Sequence, residues 1–146
     1  MSREITLYAP KRTFNVDLAV DATGIGENKR VKLGSSAIGN DVTVCGSGEL
    51  GVGTTDSDCF PPVNGDTTGD RQILVVLDAL TKIMVASAAV TRGANVGPAA
   101  SGKVVSQTID TSAPGTVVPT IGIALEAATA DLDEIEVMMT GGYVPV

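Results

Sequence analysis

The pattern of apolar and polar positions predicts short strands along the first half of the chain. Residues 14–20 alternate between the two types, and a period of two is typical of a strand with one buried face. Residues 31–33 and 42–45 are shorter runs of the same kind and predict two further strands. Residues 50–52 predict a weaker strand, because a glycine interrupts the apolar positions.

The second half of the chain contains longer apolar runs of strand length. A helix across residues 78–90 is the alternative there, since leucine, lysine, methionine and alanine favour helices. The last two runs flank an acidic turn and predict a hairpin. The predicted strands of this half cover residues 73–77, 83–86, a short stretch around Val96, and residues 104–109, 121–126 and 135–139.

Residues 53–70 predict a long surface loop or, as the alternative, a boundary between two lobes. Pro61 and Pro62 each lack a backbone donor and fix φ, so a helix or central strand does not continue through them. The Asn64-Gly65 pair adds a tight-turn signal. The spacing of the loop carboxylates matches no calcium-binding loop, and we interpret them as solvated. They are Asp56, Asp58, Asp66 and Asp70.

Composition narrows the fold to a mainly β class. The 146 residues include 17 glycines and 7 prolines, which mark many turns, and only 3% aromatic residues, so the core must be aliphatic. We expect a compact antiparallel β-barrel or β-sandwich with at most one short helix. An extended N-terminal arm, residues 1–15, precedes a single β-rich domain, residues 16–146. The sequence contains no recognisable internal repeat.

The charge of the chain is negative and unevenly distributed. The net charge is −7, with +2 on residues 1–32 and −9 on the rest. Because an acidic chain repels phosphate, we expect no nucleic-acid partner. We also expect no membrane span or secretory signal, since the chain has no apolar run of 18 residues and no basic start followed by an apolar stretch. Cys45 and Cys59 form no disulfide framework, which indicates reduced thiols and synthesis in a cytoplasm.

Candidate catalytic chemistry is weak throughout the sequence. The chain has no histidine, the commonest general base and metal ligand. Residues 46–51 have the spacing of a dinucleotide-binding loop but precede no helix, and residues 97–104 resemble a phosphate-binding loop whose magnesium-binding hydroxyl is replaced by Val104. Glu126 is a single carboxylate within an apolar run, not a catalytic pair. We therefore expect no enzyme, no cofactor and no metal.

A stretch of the second half resembles a family of small phage head proteins. The strings Gly122-Ile123-Ala124-Leu125-Glu126-Ala127 and Glu134-Ile135-Glu136-Val137, together with residues 90–96 and 100–105, carry the resemblance, which covers residues 71–142. The family comprises the capsid decoration, or cement, proteins of tailed bacteriophages. The resemblance implies a compact β fold, a homo-oligomer, the major capsid protein as partner, and no catalytic residues.

These observations lead to a functional hypothesis for the virion. We expect a structural protein, made in the host cytoplasm, that binds the outer surface of the major capsid shell, stabilises it, and self-associates as a homotrimer or, as the alternative, a homodimer. A receptor- or carbohydrate-binding module of the virion surface and a carboxylate-based hydrolase are the rival functions. The predicted partner-binding residues belong to the arm, where an alternating strand could add to a neighbouring sheet and cations could pair with capsid carboxylates. They are Arg3, Ile5, Leu7, Tyr8, Lys11 and Arg12.

Overall fold

Two five-stranded antiparallel sheets form one after the other along the chain. The computed structural model describes residues 10–35, 40–61, 70–77, 81–108, 112, 117–140 and 143–145. The first sheet has the strand order β1-β5-β4-β2-β3 and the second has the order β6-β11-β10-β7-β8. A two-stranded ribbon pairs β9 with β12.

The strand bounds follow the chain in order. The first unit, defined as the described residues up to Leu77, contains β1 (Lys11–Asp17), β2 (Arg30–Leu33), β3 (Val42–Val44), β4 (Gly53–Thr55) and β5 (Asp70–Leu77). The second unit, from Thr81 onwards, contains β6 (Thr81–Val85), β7 (Asn95–Pro98), β8 (Val104–Ser106), β9 (Val117–Pro119), β10 (Gly122–Ala124), β11 (Glu134–Met139) and β12 (Tyr143–Pro145). A short 3₁₀ turn, Ala100–Gly102, separates β7 from β8.

The expected mainly β class is confirmed, in a sandwich-like form rather than as a closed barrel. In each unit the two edge strands approach each other at one parallel bridge, Asn15 with Asp41 in the first and Ala86 with Val104 in the second. Each sheet therefore curls strongly but remains open over the described residues. Strong curling of a short sheet brings its inner side chains into a cluster of their own.

Each unit accordingly has a separate aliphatic core. Residues on alternate positions of the strands point inward, as the period of two requires. The first core contains Phe14, Val16, Leu18, Ile25, Val31, Val42, Cys59, Ile73 and Val75. The second core contains Met84, Ala86, Val90, Val96, Val104, Ile121, Ala124, Ala128, Ile135 and Val137.

The two units repeat the same topology strand for strand. Matching β1 to β6, β2 to β7, β3 to β8, β4 to β10 and β5 to β11 converts one strand order into the other. Outside the strands, Ile25 and Cys59 exchange two backbone hydrogen bonds of 2.8 Å, and Val90 and Ala128 exchange two of 2.9 Å in the equivalent place. The chain therefore contains an internal structural repeat.

The two units also share irregular features, namely a residue with positive φ and a side chain that binds the backbone of the fifth strand. Asn28 and Gly93 both have positive φ, 59° and 86°, and their N–H groups donate to Thr55 at 3.0 Å and to Ala124 at 2.8 Å. On β5 and β11, the N–H of Leu74 donates to the Ser57 side chain, and that of Glu136 donates to the Glu126 side chain. Our expectation of no repeat was wrong, because the units share backbone geometry while their side chains differ.

Most predicted strands form, with shifts that have local causes. The strand expected at residues 14–20 is β1, which ends earlier because Asp17 Oδ1 accepts the N–H of Ala19 at 2.9 Å and turns the chain. The strand of residues 104–109 ends at Ser106, and Ile109 lies outside the described residues. The alternative helix across residues 78–90 is replaced by β6 over Thr81–Val85. The predicted hairpin of β10 and β11 is confirmed.

The largest error in our strand assignment concerns the start of the predicted loop. Residues 50–52 form no strand, since Gly51 has φ of 75° and the chain bends at Val52, and β4 begins at Gly53, inside residues 53–70. A side chain at Gly53 would come within 2.5 Å of the Val76 carbonyl, so only glycine fits between β2 and β5 there. Thr55 then bonds through its hydroxyl to Gly26 and Lys29. Polar residues therefore build a fully buried strand.

The strand pairing also begins within the range assigned to the arm. Residues 11–15 belong to β1, which pairs with β5 from Lys11 opposite Val76 to Asp17 opposite Asp70. Residues 1–9 lie outside the described residues, so an arm there remains a prediction. The division into arm and single domain stays a prediction too.

Because the two cores are separate, equivalent core substitutions should act independently. We expect Ile73→Val and Ile135→Val each to lower the free energy of unfolding by about 1 kcal/mol, the usual cost of removing one buried methylene. In the double variant the two losses should add to within about 0.5 kcal/mol. Urea denaturation of the four proteins measures this. The control is a pair within one core, Ile73→Val with Phe14→Leu, whose residues lie directly opposite each other and whose losses should not simply add. If the pair across the two cores deviated from additivity as much as this pair, the cores would not be separate.

Candidate functional site

The structure describes two of the six predicted partner-binding residues. Lys11 and Arg12 are adjacent on β1, so their side chains leave opposite faces of the first sheet. Lys11 reaches the contact between the units, whereas Arg12 lies over the Phe14 ring at the sheet edge. The others, Arg3, Ile5, Leu7 and Tyr8, lie outside the described residues.

One carboxylate joins the first unit to the second. Asp56 Oδ2 accepts a hydrogen bond of 2.8 Å from Lys11 Nζ, and Asp56 Oδ1 accepts one of 3.0 Å from Lys82 Nζ on β6. The Lys82 side chain is only 5% exposed. Because an unpaired buried ammonium is costly, Lys82 depends on this carboxylate. We refer to Asp56, Lys82 and their neighbours Lys11, Asn28 and Glu134 as the seam.

Asn28 adds three further contacts to the seam. Its side-chain amide donates to Glu134 Oε1 at 3.0 Å, and its Oδ1 accepts from Lys82 Nζ at 3.4 Å. Its backbone carbonyl accepts the N–H of Val85 at 3.3 Å. The left-handed backbone at Asn28, which asparagine tolerates better than most residues, directs these groups toward the second unit. The seam is therefore a connected polar network.

The cations of the seam lower the pKa of Asp56. Partial burial by itself would raise the pKa of this carboxyl, but the hydrogen bonds from Lys11 and Lys82 and the attraction of both ammonium groups outweigh burial. Asp56 is thus ionised at neutral pH. Our interpretation of Asp56 as a solvated loop carboxylate was wrong, because its side chain is 17% exposed and shared by two lysines.

A buried arginine supports the second contact between the units. Arg30, 2% exposed, donates from Nε to the Leu50 carbonyl at 3.1 Å and from Nη1 to Thr54 Oγ1 at 3.3 Å. This holds the loop in which the Leu50 side chain packs against the second core. Gly102 approaches Arg30 so closely that a Cβ there would lie 2.6 Å from the Arg30 carbonyl. The 3₁₀ turn of the second unit therefore requires glycine at this point.

An open groove lies at the β1–β3 edge of the first unit. The Arg12 guanidinium sits 5.1 Å from the centre of the Phe14 ring and donates to Asn40 Oδ1 at 2.9 Å. Leu33, 61% exposed, forms the opposite wall, and Asp41, 7% exposed, lies at the base. We call this the head groove; its volume is about 390 Å³, and it is lined by Arg12, Phe14, Leu33, Gly34, Ser35, Asn40 and Asp41.

A second, smaller pocket of about 170 Å³ adjoins the head groove and contains Asp17, Asp21 and Asp41. Burial raises the pKa of Asp21; a hydrogen bond with Thr43 opposes this shift and the nearby Asp17 charge adds to it. Asp21 Oδ2 is buried and has no hydrogen-bond partner in the described part of the chain. Residues 10–35, 40–61 and the other described segments contain no cluster of side chains suited to a metal ion.

In the two glycine-rich segments that resemble nucleotide-binding loops, the polar contacts are made with side chains of the protein itself. In residues 46–51, the Glu49 carboxylate accepts the Gly46 N–H at 2.6 Å and pairs with Lys32 at 2.6 Å. In residues 97–104, Gly102 has φ of 69°, as expected for its turn. The Lys103 side chain is 18% exposed and pairs with Asp131 at 2.6 Å.

The remaining single carboxylate, Glu126, has a backbone role. Its Oε2 accepts the N–H of Glu136 at 3.0 Å, which fixes the start of the β10–β11 hairpin. Burial raises the pKa of the Cys59 thiol, which together with Cys45 is buried and unbridged. Among the described residues, no helix is long and apolar enough to cross a membrane.

Little in the sequence predicts that Asp56 and Lys82 form a contact. Lys82 stands beside an apolar run, where a lysine suggests a strand end, and Asp56 stands in a polar stretch. Their pairing joins positions 26 residues apart across two units, and no local pattern encodes such a contact. Glycine is the first residue of both β4 and β10, at Gly53 and Gly122, which is a trace of the repeat in the sequence.

Comparison with known proteins yields similarity of fold and no similarity of sequence. No protein-family model and no curated protein matches the chain. A solved structure, the N base of the head fiber gp8.5 of bacteriophage phi29, matches with a TM-score of 0.65 and 12% identity, covering 90% of this chain and 93% of the other. The chain shares its fold with a phage head-fibre base. At this level of identity the match shows a shared fold.

Removing the seam cation should destabilise the protein. We expect Lys82→Met to lower the free energy of unfolding by about 2 kcal/mol at pH 7, because Asp56 loses one charged hydrogen bond in a mostly buried site. Arg12→Met, at the equivalent position of the first unit, is the matched control and should cost less than about 0.5 kcal/mol. Chemical denaturation measures both, and equal losses would contradict the role of the seam.

This difference should depend on pH in a defined direction. Since the pKa of Asp56 is lowered by folding, its stabilising contribution is present above the unfolded-state pKa and is lost as the pH falls through the folded-state value. The gap between the wild type and Lys82→Met should therefore be constant from pH 6 to 8 and shrink below pH ~4. A gap that widens on acidification would be incompatible with the ion pair.

Neutralising Asp21 should have the opposite effect on stability. Its raised pKa means that the charged form is disfavoured in the folded state, so this carboxyl destabilises the fold at neutral pH and ceases to do so below the unfolded-state pKa of about 3.9. We expect Asp21→Asn to raise the melting temperature at pH 7 and to leave it unchanged at pH 3. Glu27→Gln, on an exposed residue of the same unit, is the control, and a lower melting temperature for Asp21→Asn at pH 7 would refute this assignment.

Proposed function

We propose that this chain is a structural protein of a phage virion that binds the outer surface of the major capsid shell and stabilises it. The observation that carries the proposal is the fold, which matches a phage head-fibre base over 90% of the chain. The resemblance of residues 71–142 to capsid decoration proteins suggested the same role, but no family model matches the chain, so the proposal depends on the fold.

The distribution of charge supports attachment through the N-terminal side of the first unit. Residues 1–32 carry +2 while the rest of the chain carries −9. On β1, Lys11 is paired with Asp56 and Arg12 donates to Asn40, so attachment to the capsid would depend chiefly on residues 1–9. Residues 1–9 precede the β1 edge and could add a strand to a neighbouring capsid sheet, with Arg3 beside a capsid carboxylate.

Stabilisation would follow from binding alone. A protein that binds the assembled shell and not its separated subunits shifts the equilibrium toward the shell, by about 2.7 kcal/mol per site at a free concentration of 100 times the dissociation constant. Self-association as a trimer would add avidity, because the second and third contacts are then intramolecular. No chemical step is needed for this function.

The rival functions lack comparable support. A carbohydrate-binding surface is expected to cluster exposed aromatic rings, and of the two aromatic side chains that the structure describes, Phe60 is 56% exposed while Phe14 is buried in the core. A carboxylate hydrolase would need Glu126 free for chemistry, but this group holds the Glu136 backbone.

Occupancy on purified heads tests the proposal. The full chain should bind heads stripped of surface proteins, reach saturation, and raise the temperature at which heads release DNA. A variant lacking residues 2–9, which leaves β1 intact, should bind at least tenfold more weakly, since the arm supplies the proposed added strand. Gel densitometry and calorimetry of the heads provide the two readouts.

A control on the second unit separates the arm from general electrostatics. Arg92→Glu changes the charge at an exposed turn far along the chain and should leave occupancy unchanged. Unchanged occupancy after removal of residues 2–9 would rule out the arm as the attachment site. Failure of the full chain to bind any head preparation would refute the proposed function.

A further inference from the structure

The internal repeat allows the two units to be compared surface by surface. Within the chain, one face of the first unit covers the β6–β8 edge of the second unit: Gly48 donates to Pro98 at 3.3 Å, Gly102 donates to Cys45 at 2.8 Å, and Lys82 binds Asp56. Over the described residues, the second unit does not cover the same edge of the first unit, between β1 and β3, where Leu33 is 61% exposed. The joint is formed by a covering face on the first unit and a covered edge on the second. Each of these two surfaces has an equivalent on the other unit, and both equivalents are open.

The head groove is the open counterpart of the covered edge. Arg12 lies opposite Val75 as Lys82 lies opposite Val137, and Leu33 lies opposite Val42 as Pro98 lies opposite Val104. In the covered edge Lys82 and Pro98 are buried. In the head groove Leu33 is 61% exposed and Arg12 is exposed. The exposure of these equivalent residues differs because the edge of the second unit is covered by the first unit, whereas the head groove is open.

The outer face of the second sheet is the open counterpart of the covering face. On the covering face, Val76 and the Thr54 opposite it are each 1% exposed. At the equivalent positions Met138 is 38% exposed and the Ile123 opposite it is partly exposed. We call Asn95, Ile123, Leu125 and Met138 the tail face; they stand where Arg30, Thr54, Asp56 and Val76 stand in the first unit.

Each open surface has a charged side chain in or beside it: Arg12 in the head groove, which Asp41 also lines, and Glu136 beside the tail face. In the closed joint the cation is Lys82 and the anion is Asp56. In the head groove Arg12 takes the place of Lys82. On the tail face Leu125 takes the place of Asp56, but its N–H donates to the carbonyl of Glu136, just as the N–H of Asp56 donates to that of Leu74. A carboxylate therefore stands one strand away, at the partly exposed Glu136.

We propose that copies of this chain associate head to tail, with the tail face of one copy seated in the head groove of the next and Arg12 paired with Glu136 across the contact. The occupant is a second copy because the internal joint already shows that one unit can cover the other in this way. Such a contact joins two different surfaces, so it closes into a ring or extends as a filament. A ring of three agrees with the trimer expected above.

This inference deepens the proposed self-association and can be tested without any capsid, so its failure leaves capsid binding standing. Sedimentation velocity and light scattering on the purified chain measure the mass against concentration. We expect a defined oligomer. Arg12→Glu and Glu136→Arg should each raise the dissociation constant about tenfold or more, and the double charge reversal should recover most of that loss, as charge pairs at interfaces do.

Two further variants distinguish the proposed contact from general loss of apolar surface. Met138→Ser removes an exposed apolar side chain from the tail face and should weaken association. Leu132→Asn is the matched control, since Leu132 is 63% exposed, lies in the turn outside the tail face, and has φ of 73°, which asparagine accepts. Circular dichroism verifies that every variant is folded. A monomer at all concentrations, or an oligomer that both charge reversals leave unchanged, overturns the proposal.

Discussion

The whole structure depends on the tight curl of a five-stranded sheet around its own small core. Short aliphatic strands with hardly any aromatic residues make a core that is filled by a few β-branched side chains, so each half of the chain buries its apolar residues internally. Val76 is buried outside both cores, on the face of the first unit that covers the second. The specific contacts of the joint are polar: a carboxylate held by two lysines, an asparagine with a left-handed backbone, and a buried arginine that positions one inserted leucine.

A polar joint of this kind favours a defined arrangement over tight packing. Each seam group has a specific partner: Asp56 has one oxygen for each lysine, and Asn28 uses its amide, its side-chain oxygen and its backbone carbonyl. Sliding one unit against the other would leave these buried groups unpaired, which costs more than the net gain of forming them. A protein that must present a fixed surface to a shell benefits from such a joint, and this agrees with the role proposed here.

The sequence predicted the local elements better than their assembly. Alternating and apolar runs located most strands because the period of two is visible in adjacent residues. The apolar pattern did not predict β4, where glycine and two threonines form a buried strand through hydrogen bonds rather than apolar contacts. It also did not predict β9 and β12. The repeat escaped notice because equivalent positions such as Cys59 and Ala128 share hydrogen bonds, not chemistry. Lys11 and Arg12 were predicted to bind the capsid, which stays a prediction, and the contact of Lys11 and Lys82 with Asp56 was not predicted because only the fold brings these residues together.

The connection between β5 and β6 has a consequence for how strong the seam needs to be. Strand β5 ends at Leu77 and β6 begins at Thr81, so the two units are tethered by a very short segment. A short tether keeps the second unit at a millimolar or higher effective concentration beside the first. An affinity that would leave two free proteins apart in dilute solution is then enough to keep these units docked. The same joint between separate copies has no such help and becomes sensitive to how crowded the copies are.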